Sequence, residues 1–150
     1  MGPEPIEDIG QRKVAVRAGA AAAMPKRVIK SELADYRQHK PGDMLKGVVM
    51  IIGTSESDYS NGLGMVAKEG RTHFMAICHL EVSDRNEATM GQSVEAAEDA
   101  LIEDFKLFIR TGVQGLSLQL EKCMQSRQLE KPRGWVRIDF SAGPPRANSF

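Results

Sequence analysis

Residues 93–112, SVEAAEDALIEDFKLFIRTG, read as a long amphipathic helix, and the rest of the chain is organised around it. Val94, Ala97, Leu101, Phe105 and Phe108 recur at three- and four-residue spacing, with Ile102 and Ile109 widening the stripe. Glu95, Asp99, Glu103, Lys106 and Arg110 mark a wet side. Ser93 is placed to cap the first turn, because its hydroxyl can accept from an orphan amide. Glu95, Glu98 and Asp99 complement the positive end of the helix dipole, and Lys106 and Arg110 the negative end. Gly112 closes the helix in a left-handed conformation. A broad apolar face of this kind needs a sheet to lie on.

The strand that fits it best is residues 71–82. Phe74, Ala76, Cys78, Leu80 and Val82 point one way, and His73, Met75, Ile77, His79 and Glu81 the other. The first set is core quality. The second is apolar in the middle and polar at its ends, as on a face covered by another surface. Upstream, residues 5–24 read as a first helix ended by Pro25, with Ile6, Ile9, Val16, Ala20 and Ala23 as its stripe and Gly10 and Gly19 as weak points. Residues 27–33 are a possible short strand, and Pro41-Gly42 a turn. The run GVVMII reads as a strand buried on both faces and ended by Gly53, followed by a mobile acidic loop over residues 54–64. Downstream, Leu116, Leu118 and Leu120 alternate with polar residues in a half-buried strand. Residues 122–134 then read as a loop or arm, and Trp135–Phe140 as a last strand with Val136, Ile138 and Phe140 facing in. The expected fold is α+β: a mostly antiparallel sheet with two helices packed on one face. One domain is expected over residues 1–150, with flexible ends at about 1–4 and 144–150.

Composition narrows the function classes. Twenty basic residues balance twenty acidic ones, which argues against a dedicated nucleic-acid binder. Two cysteines make no disulfide framework and fit a reducing compartment. No apolar run reaches membrane-spanning length, so no membrane partner is expected and the chain should be made in the cytoplasm.

No catalytic or cofactor constellation stands out, and no catalytic, metal or cofactor residue is assigned. His73 and His79 share a strand face but lie about 20 Å apart at the strand rise, too far to share one ion. Cys78 points to the opposite face, and His39 sits in a polar loop, as a surface residue would. Glu95, Asp99 and Glu103 recur every four residues, the pattern of a solvated helix face. The stretch GTSES at residues 53–57 lacks the second glycine of a nucleophile elbow. Trp135, the sole tryptophan, turns outward and is either an interface anchor or packed under its own arm.

The order and wording of three stretches carry a resemblance. GRTHFMAICHLEV (residues 70–82), the 93–112 helix and LSLQLEKCMQSRQLEKPRGWVRIDF (residues 116–140) resemble minor tail proteins of long-tailed bacteriophages, in the tail terminator family. The closing element here is Gln125-Ser126-Arg127-Gln128-Leu129-Glu130-Lys131-Pro132-Arg133-Gly134-Trp135-Val136. Residues 27–53 also look like the family's early strand, connector and second strand, so the likeness spans roughly Lys26 to Pro144. The resemblance implies a structural protein, not an enzyme, with no cofactor. It implies a ring, a hexamer in the family, that caps the head-proximal end of the tail tube, stops its polymerisation and offers the joining surface for the head. Implied partners are further copies of the chain, the tube protein and the head connector or neck protein, with a sheath protein as a further candidate. DNA would pass through without specific binding. The implied place is the virion, at the head–tail junction of the tail. Candidate interface residues are Met75, Ile77, His79, Arg127, Gln128, Glu130 and Trp135, and Glu56 and Asp58 are candidate channel-lining residues in the acidic loop. The rivals are a neck or head-completion adaptor and a small metal-dependent enzyme using His73, His79 and Cys78.

Overall fold

The structure is a computed structural model that describes residues 5–60 and 69–145, with only the backbone described at 58–60 and 69. Helix α1 spans Ile9–Ala23, α2 Pro41–Lys46 and α3 Met90–Thr111, with a single 3-10 turn at Tyr36–Gln38. The strands are β1 Val28–Lys30, β2 Val48–Ser60, β3 Glu69–Glu81, β4 Ser117–Gln125 and β5 Arg133–Gly143. They form one sheet in the order β1-β2-β3-β5-β4. Among the described residues only the β1–β2 pair is parallel; β2–β3, β3–β5 and β4–β5 are antiparallel. The fold is therefore α+β, as the patterning predicts.

Helices α1 and α3 cover one face of the sheet. Val16 and Ala20 of α1 and Val94, Leu101, Phe105 and Phe108 of α3 are buried with Val49, Ile51, Phe74, Ala76, Cys78, Val136, Ile138 and Phe140 from the strands. Register explains the pairing. Phe74 sits opposite Phe140, Ala76 opposite Ile138 and Cys78 opposite Val136, so alternate residues of β3 and β5 face the helices together. The Phe74 and Phe140 rings stack at 5.1 Å, and Phe105 of α3 meets Phe140 edge-on at 5.2 Å. Gly19 is not a weak point of α1. A Cβ there would lie 2.7 Å from Val113 Cγ2, so the missing side chain lets α1 approach the end of α3.

Several elements differ from the sequence reading. α3 begins at Met90 with Thr89 at its N-cap, three residues before Ser93. The Ser93 hydroxyl donates instead to Asp84 at 2.6 Å, and Thr89 donates to the same carboxylate at 2.8 Å. That carboxylate is held below its usual range, first by the Ser93 bond. Gly53 does not end β2. The strand shifts register between Gly53 and Ser55 and runs on to Ser60 against β3. Residues 54–60 are therefore strand and not loop, and residues 61–64 of the expected loop lie outside the described residues. Gly53 is needed because the Lys13 side chain crosses it, with Nζ only 3.2 Å from where a Cβ would stand. Pro41-Gly42 opens α2 in place of a turn, with proline in the first turn where no amide partner is lost. β4 continues through Gln125, which shortens the expected arm to residues 126–132. The expected flexible ends, 1–4 and most of 144–150, also fall outside the described residues.

The face away from α1 and α3 is also partly covered. Met44 of α2 packs with Val48 and Met50 of β2, and Ile77 of β3 lies against them. This explains why Val48–Ile51 are buried on both faces of the strand.

Candidate functional site: the outer face of the sheet

The face opposite the long helices carries four of the residues singled out from the sequence, Met75, Ile77, His79 and Trp135. Met75, Ile77 and His79 alternate along β3, and His79 is registered with Trp135 on β5. Only part of this face is open. Ile77 lies under the Met44 cluster, and His79 stacks on Tyr36 with ring centroids 4.2 Å apart. Met75 and Trp135 are half-buried.

His79 belongs to a cluster that the sequence did not reveal. His39, expected at the surface, is only 6% exposed. Its Nε2 lies 3.1 Å from His79 Nδ1, and its Nδ1 lies 3.3 Å from Lys30 Nζ. A lysine ammonium has only protons to give, so Nδ1 of His39 accepts and its Nε2–H donates to His79. Burial, then the neighbouring His39, lowers the His79 pKa to about 4, against the pull of Asp35 and Glu130. Burial and Lys30 likewise lower that of His39, with Asp43 and Asp35 opposing. Tyr36 is pushed up by burial and by Glu130, and Arg133 lies over its ring at 5.5 Å. A cleft of about 240 Å³ opens beside the cluster, lined by Tyr36, Arg37, His39, Met44, Glu81 and Arg133 among others.

The turn between β4 and β5 carries Arg127, Gln128 and Glu130. Arg127 and Gln128 adopt positive φ values of 59° and 65°. Gln128 is tied back to α3 through Glu95 at 3.2 Å. Between these candidates stands Leu129, 82% exposed, which the sequence reading passed over. Glu98 fixes the base of the turn. It is 1% exposed and accepts from the Ser126 hydroxyl, from Gln125 Nε2 at 3.3 Å and from the Trp135 amide at 3.1 Å. Its pKa is raised by burial, against the lowering effect of those bonds. Glu98, expected to complement the helix dipole, is a buried bracket.

Glu56 lies on β2, where its carboxylate is 3.9 Å from the buried Arg12 guanidinium. Arg12 also donates to the Gly70 carbonyl and, at 3.1 Å, to Thr72 Oγ1. The side chain of Asp58 lies outside the described residues.

One polar relay has the look of chemistry. Ser57 Oγ is 2.7 Å from His73 Nε2, and His73 Nδ1 is 3.3 Å from Glu121 Oε1. A working nucleophile also needs preorganised donors for an oxyanion. The neighbouring cation, Arg71, is spent on Ser141 Oγ at 3.0 Å and the Ser117 carbonyl at 3.0 Å, so it ties strands together. His73, His79 and Cys78 do not meet: Cys78 is fully buried on the helix side and its thiol is pushed up by burial. Among the described residues no cluster of three or more His, Cys, Asp or Glu could hold a metal ion, and no helix is long and apolar enough to cross a membrane.

No family model matches the sequence, and no curated protein matches it. The solved chains of similar shape include the following two. One, from the virion of a native gene transfer agent particle, aligns with a TM-score of 0.47 at 12% identity over 88% of this chain and 92% of that one. The other aligns with a TM-score of 0.46 at 12% identity over 95% of this chain and 100% of that one.

Proposed function

We propose that this chain is a structural protein of a phage-type tail, forming a ring that caps the head-proximal end of the tail tube. The reading rests on the resemblance to tail terminator proteins across Lys26–Pro144. Its three motif-bearing stretches correspond to β3, α3 and the β4–β5 pair, consecutive parts of one packed unit. Capping would work by shape: one face of the ring continues the tube interface, and the other cannot accept another tube subunit. The interface would draw on the open part of the outer face and the 126–132 turn: Met75, Ile77, His79, Arg127, Gln128, Glu130 and Trp135, to which we add Leu129. Ile77 and His79 would contribute only at the margin of the cover formed by residues 36–46. Further partners would be the tube protein and the neck protein of the head, with a sheath protein as a further candidate, and the place of action would be the head–tail junction of the virion.

Glu56 and Asp58 would line the channel from the β2–β3 hairpin, where negative charge lets DNA slide without sticking. Asp58→Asn, which keeps the Glu56–Arg12 pair, should slow DNA passage and leave ring assembly intact. Loss of rings in that variant would count against the assignment.

Tail length separates capping from a neck role. Tails assembled without this chain should overgrow if it terminates the tube; tails of normal length that fail to join heads would favour the neck adaptor.

A further inference from the structure

We propose that the Lys30–His39–His79 chain is an acid-released latch that holds residues 34–46 on the outer face of the sheet. This does not rest on the capping role. The latch joins three parts of the fold: β1 through Lys30, the segment between the 3-10 turn and α2 through His39, and β3 through His79. The segment it holds is short. Its other fastenings include Met44 against Val48, Met50 and Ile77, Tyr36 on His79 and under Arg133, and the Ala34 amide on Met50 Sδ at 3.2 Å.

The hydrogen-bond chain runs one way. Each imidazole uses Nδ1 as an acceptor, from Lys30 in one case and from His39 in the other. A proton on His79 turns its acceptor into a donor facing the His39 N–H. A proton on His39 sets an N–H against the Lys30 ammonium. The first event sets two N–H donors against each other, and the second adds like-charge repulsion with Lys30. The charges facing the cluster from every side are Lys30 on β1, Asp35 and Arg37 around the 3-10 turn, Asp43 on α2, Glu81 on β3, and Glu130 and Arg133 from the turn and β5. The acids favour the protonated form but are outweighed by burial, reinforced by Lys30 at His39 and by His39 at His79. The cleft lined by His39 opens directly beside the latch.

The sign follows from the lowered values. Histidines bound more weakly to protons in the closed state hold the latch fully above about pH 6.5, and closure is lost as pH falls from there toward 4. At pH 5, opening of the segment should be about tenfold more frequent than at pH 7.5, a value discounted for partial exposure. Opening would uncover Val48, Met50 and Ile77, an apolar strip continuous with Met75.

Hydrogen exchange on the full-length chain at pH 7.5 and 5.0, corrected for intrinsic rates, reads this directly. The expected result is lost protection over residues 33–47, with β3 and β5 unchanged. Unaltered protection over 33–47, or equal loss across the sheet, overturns the latch. The double variant His39→Gln, His79→Gln keeps polar groups without a titration and should show no acid-dependent opening of the segment; retention of that dependence also overturns it. If the variant does not fold, proton NMR of the wild-type histidines decides. His79 must titrate well below 6.5, together with the opening, and a midpoint at the ordinary value contradicts the proposal.

Discussion

Glu98 of α3 accepts the hydroxyl of Ser126 across the base of the β4–β5 turn, and each residue is 1% exposed. A carboxylate so deep in the fold survives because Gln125 and the Trp135 amide complete its shell. Ser126→Ala should therefore cost about 1–3 kcal/mol, and Glu98→Ala at least as much, because it strands two buried donors. The double variant should cost less than the sum of the singles, since they share one network. Urea titrations check this, and strict additivity would refute a shared bracket.

The aromatic core gives a second contrast. Phe105 is fully buried against Phe108 and Phe140, whereas Leu107 two residues on is 50% exposed. Phe105→Ala should cost about 3–5 kcal/mol. Leu107→Ala should stay within about 0.5 kcal/mol in the same assay. Equal costs would mean that α3 presents a different face to the sheet.

Two glycines should respond with opposite sign. A Cβ on Gly134 would run into Glu98 and lie 2.8 Å from Val94 Cγ1, whereas nothing lies within 4 Å of one on Gly42. Gly134→Ala should destabilise by about 1–3 kcal/mol. Gly42→Ala, in the first turn of α2, should stabilise by about 0.4–1 kcal/mol. Thermal melts distinguish the two.

Leu129 tests the interface without testing the fold. At 82% exposure it adds little to the protomer, so Leu129→Asp should leave the melting midpoint nearly unchanged. If the turn meets a neighbouring subunit, the same variant should lose rings by electron microscopy or light scattering. Intact rings would remove Leu129 from the interface.

The parts of the fold visible in the sequence are those with local period. The alternation of β3 and the stripe of α3 name their buried faces because each pattern is complete within a dozen or so residues. What escaped depended on distant partners. Glu98 sits four residues after Val94 and three before Leu101, squarely on the buried stripe. Its charge pointed outward only because Ser126 and the Trp135 amide were out of view. Arg12 repeats the lesson four residues before Val16: its spacing marks it as buried, and two of its partners lie 58 and 60 residues away. His39 looked like a loop residue because His79 is 40 positions along the chain. The polar half of β2 looked like a loop because the Arg12 that meets Glu56 and the β3 residues that pair with it lie elsewhere in the chain. For the outer-face site, β3 alternation exposed Met75, Ile77 and His79, but the cover formed by residues 34–46 could not be read from their own polar sequence.

The ring itself is tested most directly by negative-stain imaging of the purified full-length chain, alone and mixed with tail-tube ends. The capping role predicts rings of tube diameter, seated on one end of each tube. A chain that stays monomeric both alone and with tube ends would contradict it.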